Sequence, residues 1–328
     1  MHITRRALLG SMACLVAHNS QAASDSARER SFELEYESAL TGIPKTDHLR
    51  LWMPVAHADE FQRVELLHVE VPEPYFIETG ANGNRILHIG KATADADRLA
   101  VKLRYRVTRR ERVVRTTPVA LETTSLTAEE HARYLRPDRL VPLDDTIRKW
   151  AREVVDGAGA GTDLEKARAI YNHVVATVKY DKTGKGWGRG DIYYACETRR
   201  GNCTDFHAIF IGYARAVGVP ARFTIGFPVP AQRGEGRIAG YHCWAEFFAA
   251  GNGWVPVDAS EAAKDPSRRE YFFGALDENR VEFSRGRDLV LNPPQQGEPL
   301  NYFIFPYAEI DGKPQSEIET AVSYRDIA

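Results

Sequence analysis

The stretch GNCTDFHAIFIGYARAVGVPAR, residues 201–222, constrains this chain more than any other. Phe206, Ile209, Phe210, Tyr213, Ala214 and Val217 recur at helical spacing and mark one apolar face, and Gly218, Val219 and Pro220 end the run. Such a helix has to be covered. Asn202 is placed to cap it, and Asp205, at the third helical position, suits its positive end. Cys203 falls in the first turn, among backbone N–H groups that have no helical partner. Groups of that kind stabilise a thiolate and lower its pKa, and they can receive the negative oxygen that forms when a thiolate attacks a carbonyl.

Two strands follow that supply partners for the cysteine. ARFTIGFPV reads as a strand ending at Pro228, and VPAQRGEGRIAG as a flexible loop that returns at Gly240. YHCWAEFF then alternates His242, Trp244 and Glu246 with Tyr241, Cys243, Ala245 and Phe247. AAGNG turns the chain, and WVPVDAS sends Trp254, Pro256 and Asp258 to a common face. Antiparallel pairing about Gly251 predicts His242 and Asp258 side by side, with Asp258 holding one ring nitrogen while the other faces Cys203. Singly, each residue has an ordinary explanation: an inert buried cysteine, a hydrogen-bonded histidine, an aspartate that starts a turn. A helix start and two paired strands that bring the three together predict a nucleophile (Cys203), a base (His242) and its orienter (Asp258).

A chain of 328 residues exceeds what one hydrophobic core usually serves, so two domains are expected. Residues 31–115 predict an all-β N-terminal domain, a small sandwich. SFELEYES alternates Phe32, Leu34 and Tyr36 with Glu33, Glu35 and Glu37, and VKLRYRV alternates Val101, Leu103, Tyr105 and Val107 with Lys102, Arg104 and Arg106. LRLWMPVA, VELLHVEVP and RILHIG read as further strands, and ANGN at 81–84 as a hairpin-type turn. The basic outer face of 101–108 reads as a solvated surface rather than a site for an acidic ligand. Residues 116–142 form a connector. LDDTIRKWAREVVDG and DLEKARAIYNHVVATVKY then predict two amphipathic helices, the second with a capping box at Thr162 and Glu165, opening a domain of residues 143–328 that ends in closing strands.

The N-terminus reads as export. MHITRRALLGSMACLVA is a basic head followed by an apolar run, and SQA at residues 20–22 suits a signal peptidase, so residues 1–22 are expected to be removed. TRRALLG resembles a twin-arginine signal; an ordinary secretory signal and an uncleaved anchor are the alternatives. Removal takes Arg5 and Arg6 and no acid from the formal charge of −2, leaving 41 basic against 45 acidic residues. That balance offers no electrostatic case for a nucleic-acid partner. Of four cysteines, Cys14 leaves with the signal, and Cys196, Cys203 and Cys243 remain. If Cys203 stays free for chemistry, an oxidising compartment allows a Cys196–Cys243 disulfide. Their spacing does not resemble a metal site, alternation turns Cys243 away from His242, and no cofactor is implied.

DKTGKGWGRG at 181–190 is a basic, glycine-rich loop without the pattern of a phosphate cradle. Its Trp187 suits a cleft rim, as do Trp244 and Trp254. Asp205 reads as a cap or core hydrogen-bonding residue and His207 as a packing residue behind the site. Arg285 and Arg287 read as structural ion pairs rather than a carboxylate clamp, and Tyr271, Phe272 and Phe273 as core or cleft wall.

GNCTDFHAIFIGYARAVGVPAR, GYHCWAEFF and GWVPVDAS together resemble three segments of the transglutaminase-like superfamily, across residues 140–262. The resemblance implies an α+β fold: an N-terminal β-sandwich domain followed by a papain-like core whose nucleophile helix packs on an antiparallel sheet. It implies Cys203 as nucleophile, His242 as base and Asp258 as orienter, with the Cys203 backbone N–H as one oxyanion donor. A second, upstream donor is expected, with Trp187, Tyr193 and Tyr194 as candidates. The superfamily includes acyl-transferring transglutaminases, peptidases, amidases and inactive members. The expected reaction is acyl transfer or hydrolysis at a peptide or carboxamide bond through a thioester, on an exported or cell-wall peptide, peptidoglycan peptides among them. A true transglutaminase, a non-catalytic binding module on the same fold and, third, a metal-dependent hydrolase are the alternatives.

Overall fold

A computed structural model describes residues 27–44, 48–92, 98–114 and 125–327. The export segment 1–22 and residues 116–124 of the connector lie outside the described residues.

The alternation at residues 32–37 builds strand Glu29–Thr41, which pairs antiparallel with Arg98–Arg110. Phe32, Leu34, Tyr36, Leu103, Tyr105 and Val107 are fully buried on one face. On the other face the register sets Glu33 opposite Arg106, Glu35 opposite Arg104 and Glu37 opposite Lys102. The basic row is therefore matched by an acidic row in the same sheet, and cross-strand pairs of opposite charge stabilise the pairing. Gln62–Glu70 adds to the far side of Arg98–Arg110. A second five-stranded sheet contains Leu49–Val55, Phe76–Thr79 and Arg85–Ala92. The turn before Arg85 has Asn82 and Gly83 at φ 59° and 74°, the left-handed region that an Asn-Gly pair tolerates.

Both sheets are completed from the other end of the chain. Ile318–Asp326 pairs with Phe32 to Leu40 of strand Glu29–Thr41, and Tyr307–Ile310 pairs with Leu49–Val55. The closing strands thus join the N-terminal sheets. Residues 235–237, in the segment read as a flexible loop, form an edge strand against Ile318–Asp326. Asp326 holds that segment by accepting from Gly234 N at 2.7 Å and from Arg30 Nε at 2.7 Å.

The central region carries helices Asp145–Gly157, Asp163–Thr177 and Cys203–Ala216 with an antiparallel sheet. Its strand order is Gly253–Val257, His242–Ala249, Ala221–Pro228, Arg280–Arg285. The one-faced apolar pattern read for the Cys203 helix understates its environment, since all 14 of its residues are buried. Helices 145–157, 163–177 and 192–198 press on it from one side and strands 221–228 and 242–249 from the other. Its remaining positions are small or aliphatic (Thr204, Ala208, Ile211, Gly212, Ala216) or polar groups that find partners, as Arg215 does on Ala221 O at 3.0 Å and Asp138 Oδ2 at 2.8 Å, so the helix can be enclosed. The core runs on into the N-terminal sheets: the Tyr36 ring meets Phe227 and Phe283 edge-on at 5.3 and 5.8 Å, and Tyr105 meets Phe283 at 5.8 Å.

Candidate active site

The start of the Cys203 helix is held by a reciprocal cap. Asn202 Oδ1 accepts from Thr204 N at 2.9 Å, and Asp205 Oδ2 accepts from Asn202 N at 2.9 Å. Asp205 does more than cap, because the same carboxylate accepts from Gly188 N at 2.7 Å and Gly190 N at 3.1 Å. It fastens the glycine-rich loop to the helix start. Arg287 grips that loop by its carbonyls, donating to Gly190 O at 2.9 Å and Arg189 O at 3.0 Å. Glycine is required where the loop and helix meet: a Cβ on Gly190, at φ 63°, would lie 2.8 Å from Thr204, and one on Gly201 would overlap the Asp205 carboxylate.

His242 and Asp258 approach diagonally. Strand 242–249 pairs Ala245 with Val257, so Asp258 falls beside Trp244 in register, two residues from His242. The side chains close the gap, with His242 Nε2 2.7 Å from Asp258 Oδ2. Nδ1 is left for the hydrogen bond between His242 and Cys203. Asp258 Oδ2 also receives Arg280 Nη1 at 3.0 Å, while Oδ1 receives Ser260 Oγ and Glu261 N, each at 3.1 Å. Cys203, His242 and Asp258 are 2%, 5% and 0% exposed, so these groups interact with little screening by water.

Burial pushes the Cys203 thiol up, but hydrogen bonds from Cys243 and His242 and the charge of His242 outweigh it, and the thiol lies well below its ordinary range. Burial opposes the charge of His242 too; Asp258, by charge and hydrogen bond, and then Cys203 raise it to about 10. Burial likewise disfavours the Asp258 carboxylate, yet His242 and Arg280 hold it well below the usual range. These shifts favour a thiolate beside an imidazolium, with the aspartate ionised.

The remaining sequence candidates separate. Trp187 is half-buried, with Lys182 Nζ 5.9 Å above its ring. Tyr193 donates to Asp144 Oδ2 at 2.7 Å and packs its ring on Trp150, and Tyr194 packs its ring on Gly186 of the loop. Trp244 does not line an open cleft: it is fully buried, with the Arg280 guanidinium 5.1 Å above its ring. Trp254 does not either, since it pairs opposite Phe248, six residues and about 20 Å along the strand from His242. Cys196 and Cys243 are both free thiols and do not form the disulfide. Cys196 contacts Tyr213 Oη at 3.5 Å, whereas Cys243 is hydrogen-bonded to Cys203. Alternation turns Cys243 away from His242, and the register of Gly226 with His242 and Ile225 with Cys243 keeps that alternation, while this end of the strand reaches the helix start.

Arg280, Tyr241 and Tyr302 were not read from the sequence. Tyr241 Oη accepts from Asn202 Nδ2 at 3.0 Å and lies 3.1 Å from Thr204 Oγ1, and Tyr302 donates to Gly188 O at 3.3 Å. Arg280 is signalled by alternation in RVEFSR only once its strand is placed beside 221–228. Arg285 pairs with Asp59 at 3.1 Å and with Glu282. Among the described residues one cluster has the donor set of a metal site, His57, Asp59 and Glu282. Arg285 already contacts both acids there, so a guanidinium stands where a cation would be held.

The sequence profile of the transglutaminase-like superfamily matches residues 148–259. An uncharacterized protein of Haemophilus influenzae is 28% identical, the match covering 82% of each chain. A solved structure from Cytophaga hutchinsonii, assigned provisionally as a cysteine protease, superposes with a TM-score of 0.61 at 17% identity over 92% of both chains. The periplasmic domain of TgpA from Pseudomonas aeruginosa gives a TM-score of 0.40 at 18% identity over 75% of each chain. Behind an N-terminal β-rich region, in an α+β fold, residues 148–259 thus resemble the transglutaminase-like core.

Proposed function

We propose that the protein is a cysteine-dependent hydrolase or acyltransferase that attacks a peptide or carboxamide bond. The observation that carries this reading is the 2.7 Å bond from His242 to Asp258, on a ring whose other nitrogen serves a cysteine at a helix start. The Cys203 thiolate adds to the carbonyl carbon, and the oxyanion is received by the Cys203 backbone N–H. His242 gives its Nδ1 proton to the departing amine, leaving a thioester on Cys203. Water activated by His242 then releases the acid and restores the thiol. Hydrolysis is favoured because water is the default acceptor and, among the described residues, no separate amine-binding feature accompanies the site. The basic head and apolar run of residues 1–22 support export, so the substrate is an exported or cell-wall peptide.

The test is a mass-spectrometric screen of peptides, muropeptides and glutamine-containing substrates against wild type and Cys203→Ala, with and without a primary amine. Acid product from wild type alone supports hydrolysis, and an amine adduct supports transamidation. Equal turnover by Cys203→Ala refutes the proposal.

A further inference from the structure

Behind Cys203 lie two buried groups for which the proposed reaction has no use, His207 and Cys243, each fully buried. The backbone N–H of Ala259 donates to His207 Nε2 at 3.2 Å, so the neutral ring carries its proton on Nδ1. Nδ1 lies 3.7 Å from Cys243 Sγ and meets it as a donor, sharing its proton with the Cys203 backbone one turn back on the helix. Burial holds His207 below the ordinary histidine range despite Asp258 at 3.9 Å, which keeps the ring neutral. With its sulfur serving as acceptor, Cys243 has its own hydrogen free to point away from His207. Two acceptors are in reach: Thr204 Oγ1 at 3.8 Å and the sulfur of Cys203.

A thiolate that is 2% exposed has lost nearly all of its water, and protein donors must replace that hydration if the charge is to persist. His242 supplies one donor from the front. We infer that Cys243 is a positioning residue that supplies the second from behind: its S–H donates to the Cys203 thiolate, and His207, locked by Ala259 N–H, sets its orientation. When Cys203 is protonated the S–H turns to Thr204, so the relay favours the ionised state. The role rests on the reading of Cys203 as a thiolate nucleophile.

The experiment measures the rate at which iodoacetamide alkylates Cys203 as a function of pH, with the modified peptide identified by mass spectrometry. The midpoint is read rather than the absolute rate, because limited access scales a whole profile without moving it. The other titratable groups around Cys203 are His242 and Asp258 from the strands, Asp205 and His207 from its own helix, and Tyr180, Tyr241 and Tyr302 packed over the helix start. All are retained in the variants. Cys243→Ala is expected to raise the midpoint by about one pH unit, a tenfold loss of thiolate at any lower pH, and Cys243→Ser to restore most of it. Cys243→Val and Cys243→Thr form a second pair of nearly equal size, so a packing defect moves both while a lost donor moves only the valine. Superimposable profiles for wild type, Ala and Val overturn the inference, as does an equal shift for Val and Thr. A wild-type midpoint in the ordinary thiol range overturns it too, and leaves the turnover test with Cys203→Ala standing on its own.

Discussion

Arg280 donates from Nη1 to Asp258 Oδ2 at 3.0 Å, and that oxygen is the one that meets His242 Nε2. The guanidinium, itself fixed by Asp277 at 3.3 Å, keeps Asp258 ionised and aimed at the histidine. Arg280→Met keeps most of the volume over Trp244 and removes the charge. Its expected effect is a fall of about tenfold in kcat/KM with KM nearly unchanged, because the loss is one of histidine orientation. Steady-state kinetics at several pH values check it, and an unaltered kcat would remove Arg280 from the site.

The shifts at Cys203 and His242 set a pH window. Cys203 lies well below the ordinary thiol range and His242 is raised to about 10, so thiolate and imidazolium coexist between those values. Activity should rise as pH passes upward through the depressed thiol value and decline as pH approaches about 10, where His242 loses the proton it must donate. His242→Ala removes that proton donor and the charge that favours the thiolate. The alkylation midpoint of Cys203 should then move upward, toward the ordinary thiol value; an unmoved midpoint counts against the ion pair.

Much of this site was legible in the sequence because its parts are short-range. Asn202 and Asp205 form a local cap, the apolar, aromatic run at 242–249 marks a strand, and the Asn-Gly turn at 82–83 is set by backbone sterics. What escaped depends on long-range pairing. Nothing in residues 318–326 announces that their partner is strand 29–41, since any alternating strand has a face and an edge to offer. Cys243, read only as facing away from His242, bears on Cys203 because its strand's end meets the helix start, a tertiary contact that no local pattern states. Trp244 and Trp254 were read as cleft walls from their neighbours in sequence, while burial and distance along the strand assign them elsewhere.

Asp205 accepts three backbone N–H bonds at 2.7, 2.9 and 3.1 Å while fully buried, and so joins the cap to the glycine-rich loop. Asp205→Asn puts an amide NH₂ where an acceptor stood and leaves a buried N–H without a partner. A loss of about 1–3 kcal/mol is expected. Hydrogen exchange should quicken at Gly188 and Gly190 first, ahead of the core helices. Unchanged protection at those two amides would refute the fastening role.

Glu246 is fully buried between Arg112, at 3.0 Å, and Arg222, which approaches at 3.0 and 2.6 Å. Burial pushes its carboxyl up, yet the charges of Arg112 and Arg222 bring it down to about 2. A carboxylate with a depressed folded pKa contributes stability that is present above its unfolded value and is lost as pH falls toward about 2. Glu246→Ala leaves two guanidinium groups unpaired and should cost about 3–5 kcal/mol at neutral pH, less in acid. Urea melts of both proteins at pH 7 and pH 3 check this. A difference between them that does not narrow at pH 3 would contradict the assignment.

The C-terminal strands yield a prediction about what can be removed. Residues 148–259 match the superfamily profile, and Cys203, His242 and Asp258 all fall within them. That segment nevertheless leaves out Arg280–Arg285, the strand that completes the central sheet and carries the arginine on Asp258. Ending the chain at residue 305 keeps Arg280 but deletes Tyr307–Ile310 and Ile318–Asp326. Strands 29–41 and 49–55 would then each expose an unpaired edge, and Leu34 and Tyr36 would lose the neighbours that Tyr324 and Val322 provide across the ladder. Exposed edges beside apolar side chains promote aggregation. The truncated protein should therefore be recovered mainly in the insoluble fraction, although every residue of the proposed reaction is present. A soluble 1–305 chain that melts cooperatively and alkylates Cys203 at the wild-type rate would show that the closing strands are dispensable.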